Sequence, residues 1–262
     1  MTAPTIYPTV QTNRADSGGI GELRSRIDLI ITPVFFLVLL LMMAAVWTYS
    51  DIDPTTARLL DPSALMRQIR EHINLTIWST LVVVGTAIPI GVLITRPRLR
   101  KWAPPILGVA NSGQAIPAYG LLVLFLGFFG QGGRTAIYAL ILYAMLPVLR
   151  NTMVGLDQVD SAVIEAGRGM GMSRFQALTK IELPLAVPVI LGGIRTALVI
   201  NIGTAALAFL IGGGALGETI NAGLKLQRNT AIFVGASLVA LLALAADWIA
   251  ALAERYLRPK GI

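Results

Sequence analysis

Residues 160–184 read Asp-Ser-Ala-Val-Ile-Glu-Ala-Gly-Arg-Gly-Met-Gly-Met-Ser-Arg-Phe-Gln-Ala-Leu-Thr-Lys-Ile-Glu-Leu-Pro. Asp160 or Ser161 suits the cap of a helix through Val163, Ala166 and Met170, which share one face at helical spacing. Gly171 suits the left-handed residue that closes such a helix. Ser173 and Gln176 have the spacing of a capping box for a second helix, with Phe175, Leu178 and Ile181 as its apolar stripe. Pro184 is read as the breaker before the next segment. The stretch therefore encodes a polar helix, a sharp turn and a second helix.

On both sides lie long apolar runs. Apolar residues make up 55% of the chain and charged residues 13%. A helix needs about 20 apolar residues to cross a bilayer. Six such spans can be drawn: Leu29 to Trp47, Ile77 to Thr95, one within Pro105 to Gly130, a short one from Thr135 to Leu149, one within Val187 to Ile211, and Ala231 to Leu252. The fold class is all-α, a polytopic membrane protein. Residues 1–26, rich in polar residues, Pro and Gly, read as a disordered or loosely held tail. Residues 27–254 form the membrane domain, with the loop at 157–184, and residues 255–262 a short C-terminal tail. The first span starts too late and is too long for a signal peptide.

Basic residues orient the chain. Arg14, Arg24 and Arg26, then Arg96, Arg98, Arg100 and Lys101, then Arg150, Arg168, Arg174 and Lys180, and finally Arg255, Arg258 and Lys260 fall on one side of a six-span arrangement. The other side has fewer, diluted by Asp51, Asp53, Asp61, Glu71 and Glu218. Both termini and the Glu165 loop are therefore expected in the cytoplasm. The net charge of +7 is the surplus expected against anionic lipid heads, and calls for no nucleic acid.

Cysteine is absent, which excludes disulfides and thiolate chemistry. There is no phosphate-binding Gly-rich loop and no nucleophile elbow, so any ATP is bound by another chain. No catalytic residues, metal ligands or cofactors are expected. His72, the single histidine, is read as solvated or interfacial. Arg195 and Asp247 fall inside spans, where charge is costly, and are placed to pair with each other. Their role is either structural or a lining of an inner vestibule. Asn201 and Thr204, one turn apart, either line a path or bond to neighbouring helices. Gln114 to Pro117 interrupts the third apolar run, as a kink or as a pathway element. Gly212, Gly213, Gly214 and Gly217 end the fifth span as an exit turn or a gate hinge.

The motif resembles the EAA loop of bacterial ABC importer permeases: Glu-Ala-Ala, three residues, Gly, nine residues, Ile, one residue, Leu-Pro. Glu165, Ala166, Gly171, Ile181, Leu183 and Pro184 stand at those positions, and Gly167 replaces the usual second Ala. The resemblance implies that these seven residues couple the chain to an ATPase. It implies as partners a cytoplasmic ABC ATPase dimer, a second permease copy or a homologous permease, an extracytoplasmic solute-binding protein and membrane lipid. It implies location in a bacterial inner membrane. Leu146 to Thr152, Glu182 to Ala186 and Gly192 to Ala197 resemble the glycine betaine, carnitine and choline branch, whose solutes are osmoprotectants. In that setting Gln114, Pro117, Asn201, Thr204 and Gly213 are the candidate pathway or gate residues. An amino-acid permease, such as one for methionine, is the alternative within the class. A stand-alone secondary transporter is the alternative outside it; that would call for mid-membrane carboxylates or an inverted repeat.

Overall fold

The computed structural model describes residues 14–49 and 52–257, with side chains from residue 31. Eleven α-helices run through the described residues. Helix α1 is Arg14–Tyr49, α2 Pro54–Leu59 and α3 Pro62–Ile94. Then come α4 Ala103–Ala115, α5 Ala118–Phe129 and α6 Gly133–Asp157. Helices α7 Ser161–Gly169 and α8 Arg174–Ala177 form the loop, and α8 passes through a π turn, Leu178–Glu182, into α9 Leu183–Ala205. Helices α10 Gly217–Lys225 and α11 Asn229–Leu257 complete the chain.

Among the described residues five helices are long and apolar enough to cross a membrane, and α4 with α5 makes a sixth span if that bent pair is counted as one. The two axes of the pair differ by 105°. The interruption at Gln114 to Pro117 is thus a full break, with Pro117 leading α5 from outside its first turn.

Several boundaries differ from the sequence reading. Residues 14–26 are helical and continuous with the first span, not a loose tail; residues 1–13 and 258–262 lie outside the described residues. The fourth span is not short: α6 runs 25 residues, past Arg150 and Asn151. A charge near a helix end does not stop the helix when its tip can reach the interface. Helix α3 begins well before Ile77, because its polar first half is packed against protein. Pro184 does not break the chain. Leu183 stays helical at φ −62°, ψ −48°, with its N–H on the carbonyl of Leu178. Such an i to i−5 bond marks a π turn, and this one-residue slip absorbs the donor that Pro184 lacks.

Helix α6 is the hub, packed against α3, α4, α5 and α9. Small residues let the backbones approach. A Cβ at Gly193 would stand 2.9 Å from the carbonyl oxygen of Pro147, and one at Gly113 2.5 Å from that of Leu142. Helix α1 lies outside this core, against α11.

Candidate functional site

The Glu165 loop is built from local signals. The Asp160 carboxylate accepts the amide of Ala162 at 2.9 Å and starts α7. At its other end, Met172 N–H donates to Gly167 O at 3.2 Å and Gly171 N–H to Arg168 O at 3.0 Å. These are the two bonds of a Schellman closure, which puts Gly171 in the left-handed position. Its φ is +91°, and the space where a side chain would sit is open. The chain reverses and the capping box forms: Ser173 N–H donates to Gln176 Oε1 at 2.8 Å, and Gln176 N–H to Ser173 Oγ at 3.2 Å.

The turn leaves an apolar face outward. Val163, Met170 and Phe175 are exposed, the last two at 76% and 73%. Ala166 and Glu165 are exposed beside them. Phe175 therefore does not join Leu178 and Ile181 in a buried stripe; those two are half-buried. Gly167, by contrast, is buried. The Cδ1 of Ile181 lies 2.4 Å from where its Cβ would be. Ile181 packs into the space that a methyl at position 167 would take.

The loop is tied to the bundle by charge. Glu182 is 7% exposed and pairs with Arg96 at 2.7 Å, at the end of α3. Arg96 also donates to the Val92 carbonyl and to Thr95 Oγ1, both at 3.2 Å. A buried carboxylate paired in this way holds its place strongly, because removing one partner leaves the other charge uncompensated. Leu183 and Pro184 follow directly at the start of α9. Beside the pair, Arg98, Arg168 and Arg174 line a groove of about 870 Å³ between the α3–α4 connection and the loop.

Within the membrane, side chains close the gaps that broken helices leave. Pro147 supplies no N–H to Tyr143 O, its acceptor in a regular helix. Gln114 Nε2 donates to that oxygen at 3.1 Å across from α4. A backbone group in a bilayer must be satisfied from within the protein, and Gln114 does this here. His72 does the same at the end of α9. It is fully buried, with Nε2 at 2.9 Å from Ile202 O, and not solvated as its sequence position suggested. A carbonyl only accepts, so Nε2 carries the proton. The signal missed was the spacing of Gln68, His72, Thr76 and Thr80, one per turn of α3, all buried. Asn201 is buried against that stripe and donates to Thr80 Oγ1 at 3.0 Å. Thr204 is buried one turn on.

At the far end the glycines make a packed reversal. Gly212, Gly214 and Ala215 have φ of +73°, +75° and +76°. Glu71 of α3 accepts the Ala215 N–H at 3.1 Å. Gln68 accepts from Thr219 Oγ1 at 2.7 Å, so α10 is clasped to α3. Gly213 lies in this reversal against Ala208 and Ala136. Pro117 is exposed at the α4–α5 break.

The two in-span charges meet. The Arg195 guanidinium of α9 grips the Asp247 carboxylate of α11 with two bonds, Nε to Oδ1 and Nη2 to Oδ2, the latter 2.6 Å. Among the described residues, no three His, Cys, Asp or Glu side chains cluster as metal ligands.

This architecture has relatives. The choline transport system permease protein OpuBB of Bacillus subtilis (strain 168) is 41% identical over 198 residues, covering 76% of this chain and 90% of that one. The osmoprotectant import permease protein OsmY of Salmonella typhimurium is 38% identical over 228 residues, 87% of this chain and 95% of that protein. An inward-facing structure of the MetNI methionine ABC transporter matches with a TM-score of 0.61 at 25% identity, covering 75% of this chain and 97% of that one. The family model described as the binding-protein-dependent transport system inner membrane component matches residues 87–259. A match across most of the chain, on a bundle of apolar helices with a capped loop at the motif, places this protein in the family of binding-protein-dependent transport system inner membrane components.

Proposed function

We propose that the chain is the permease subunit of an ATP-driven importer for quaternary-ammonium osmoprotectants of the glycine betaine, choline and carnitine type. What carries the reading is the set of relatives at 38–41% identity, whose names specify choline and osmoprotectant import. The methionine transporter is similar at 25%, which supports the fold more than the solute.

In this reading the exposed face of the loop, with Glu165 and Ala166 of α7, Met170 at its end and Phe175 of α8, docks on a separate ATPase. Gly167, Ile181, Leu183 and Pro184 join that knob to α9, and the Gly171 turn sets its angle. Closure of two ATPases then moves two such loops, one from this chain and one from a second copy or a homologous permease. Helix α9, continuous through the π turn with α8, passes the motion to the bundle. Gln114, Pro117, Asn201, Thr204 and Gly213, at the α4–α5 break, the α3–α9 seam and the far reversal, are the proposed pathway or gate residues. An extracytoplasmic binding protein selects the solute, and both termini face the cytoplasm of a bacterial inner membrane.

Two measurements test this. A cytoplasm-active reporter fused after Ile262 is expected to be bright and a periplasm-active one dark; the opposite pattern overturns the orientation. Uptake of labelled glycine betaine or choline is expected only when permease, ATPase and binding protein are expressed together in cells without other uptake systems. Uptake of the solute by the permease alone would contradict the assignment.

A further inference from the structure

We propose that the Arg195–Asp247 pair lines a water-filled part of the path and receives a zwitterionic solute, its carboxylate on Arg195 and its quaternary ammonium against Asp247 and Glu254. This rests on the solute class proposed above.

The pair lies deep. Arg195 is ~12 Å along α9 from the start of its apolar span at Val187, and Asp247 ~8 Å along α11 from the end of its span at Leu252, at 1.5 Å per residue. Yet it is open: the side chains keep 30% and 25% of their exposure. Charge at membrane depth faces water or protein, since lipid cannot solvate it. The opening is a cavity of about 560 Å³ bordered by Arg195, Asp247, Glu254 and the exposed Thr196. Glu254 is seven residues after Asp247 and so shares its face of α11. Among the described residues, the cavity thus sets one cation against two carboxylates.

That arrangement fits a particular chemistry. A quaternary ammonium has no N–H to donate, so it is held by opposite charge and contact. A carboxylate fits the guanidinium fork with two bonds. When a betaine enters, its carboxylate replaces Asp247 on Arg195, and its ammonium takes up the released Asp247. Arg195 keeps a carboxylate partner and Asp247 a cationic one in both states, and the entering ammonium also meets the negative charge of Glu254. Because the resting pair competes with the solute, binding is weak, as a path requires for release.

The chain has no cysteine, so Thr196→Cys supplies its single thiol. In vesicles carrying the ATPase and binding protein, a charged, water-soluble methanethiosulfonate is expected to label position 196, and solute is expected to slow the labelling. Labelling by a lipid-soluble maleimide alone would overturn the proposal by placing the cavity in lipid. Disulfide formation between two copies without reagent access would overturn it by making the face a packed interface.

The second arm uses Arg195→Gln with Asp247→Asn, which keeps shape and hydrogen bonding but removes both charges. At equal membrane abundance and with one binding protein, glycine betaine uptake efficiency is expected to fall about 10-fold or more, the scale of a lost charge-assisted bond. Choline, which has no carboxylate, is expected to fall less. An unchanged ratio of the two would mark the pair as structural only. If the unaltered chain carries neither solute, the proposed function fails, while the labelling arm still decides whether the cavity holds water.

Discussion

Gly171→Val is expected to abolish transport while leaving the protein in the membrane. Gly171 sits at φ +91° with nothing within 4 Å of an added Cβ, so the first cost is not a clash. It is the backbone that objects. A left-handed conformation costs an ordinary residue ~1–2 kcal/mol, and a β-branched one is a clear outlier there. The two Schellman bonds would loosen, and α7 would no longer be aimed by Ser173 and its capping box. A strain of that size is small against the stability of the whole bundle, but it falls entirely on the angle of the docking knob. Glu165→Lys is expected to give the same loss by reversing an exposed charge on the proposed docking face. Gln158→Ala, at the exposed end of α6, is the control. Uptake and co-purification of the ATPase report the outcome. Normal values for both loop variants at normal abundance would remove this loop as the coupling element.

Gly217→Val is expected to do the opposite, destroying the protein before function can be measured. A Cβ at Gly217 would stand 1.7 Å from the carbonyl oxygen of Ala206 and 2.6 Å from the Phe209 ring. The nearest atom is backbone and cannot swing away. Helix α10 would have to leave the reversal in which Ala215 and Leu216 are fully buried. It would also lose the Glu71 and Gln68 bonds that hold it to α3. Losses of this kind run to about 4 kcal/mol or more. Membrane abundance and the temperature of aggregation in detergent should both drop steeply. Gly127→Ala, where nothing lies within 4 Å, should change neither. Wild-type abundance and melting in Gly217→Val would show that the reversal is looser than described.

These two glycines also show what the sequence makes legible. Gly171, Asp160, Ser173 and Gln176 act within a few residues of one another, so their spacing alone declares helix, turn and helix. The apolar spans are legible because lipid requires them. Gly217 reads only as an end of a run; its constraint comes from Ala206 and Phe209, brought there by a turn that includes Ala215 at positive φ. The burial of His72 is hidden from the sequence for the same reason: its partner, Ile202 O, is 130 residues away. The Gln114 contact had a signal after all. Pro147 in a membrane helix leaves a carbonyl four residues back, and some donor from a neighbour has to meet it. Arg195 and Asp247 were readable as a pair, because two opposite charges in separate spans have few other ways to be tolerated. The extent of α6 beyond Arg150 was not, since hydropathy falls there while the helix continues.

In the proposed function this chain turns ATP-driven movement of a partner into solute movement through the Glu165 loop. The direct measurement is ATP hydrolysis in proteoliposomes holding the chain and its ATPase, with and without solute-loaded binding protein. Loaded binding protein is expected to stimulate hydrolysis with the wild-type chain, and to leave it at the basal rate with Gly171→Val or Glu165→Lys. Equal stimulation with all three chains would contradict the account.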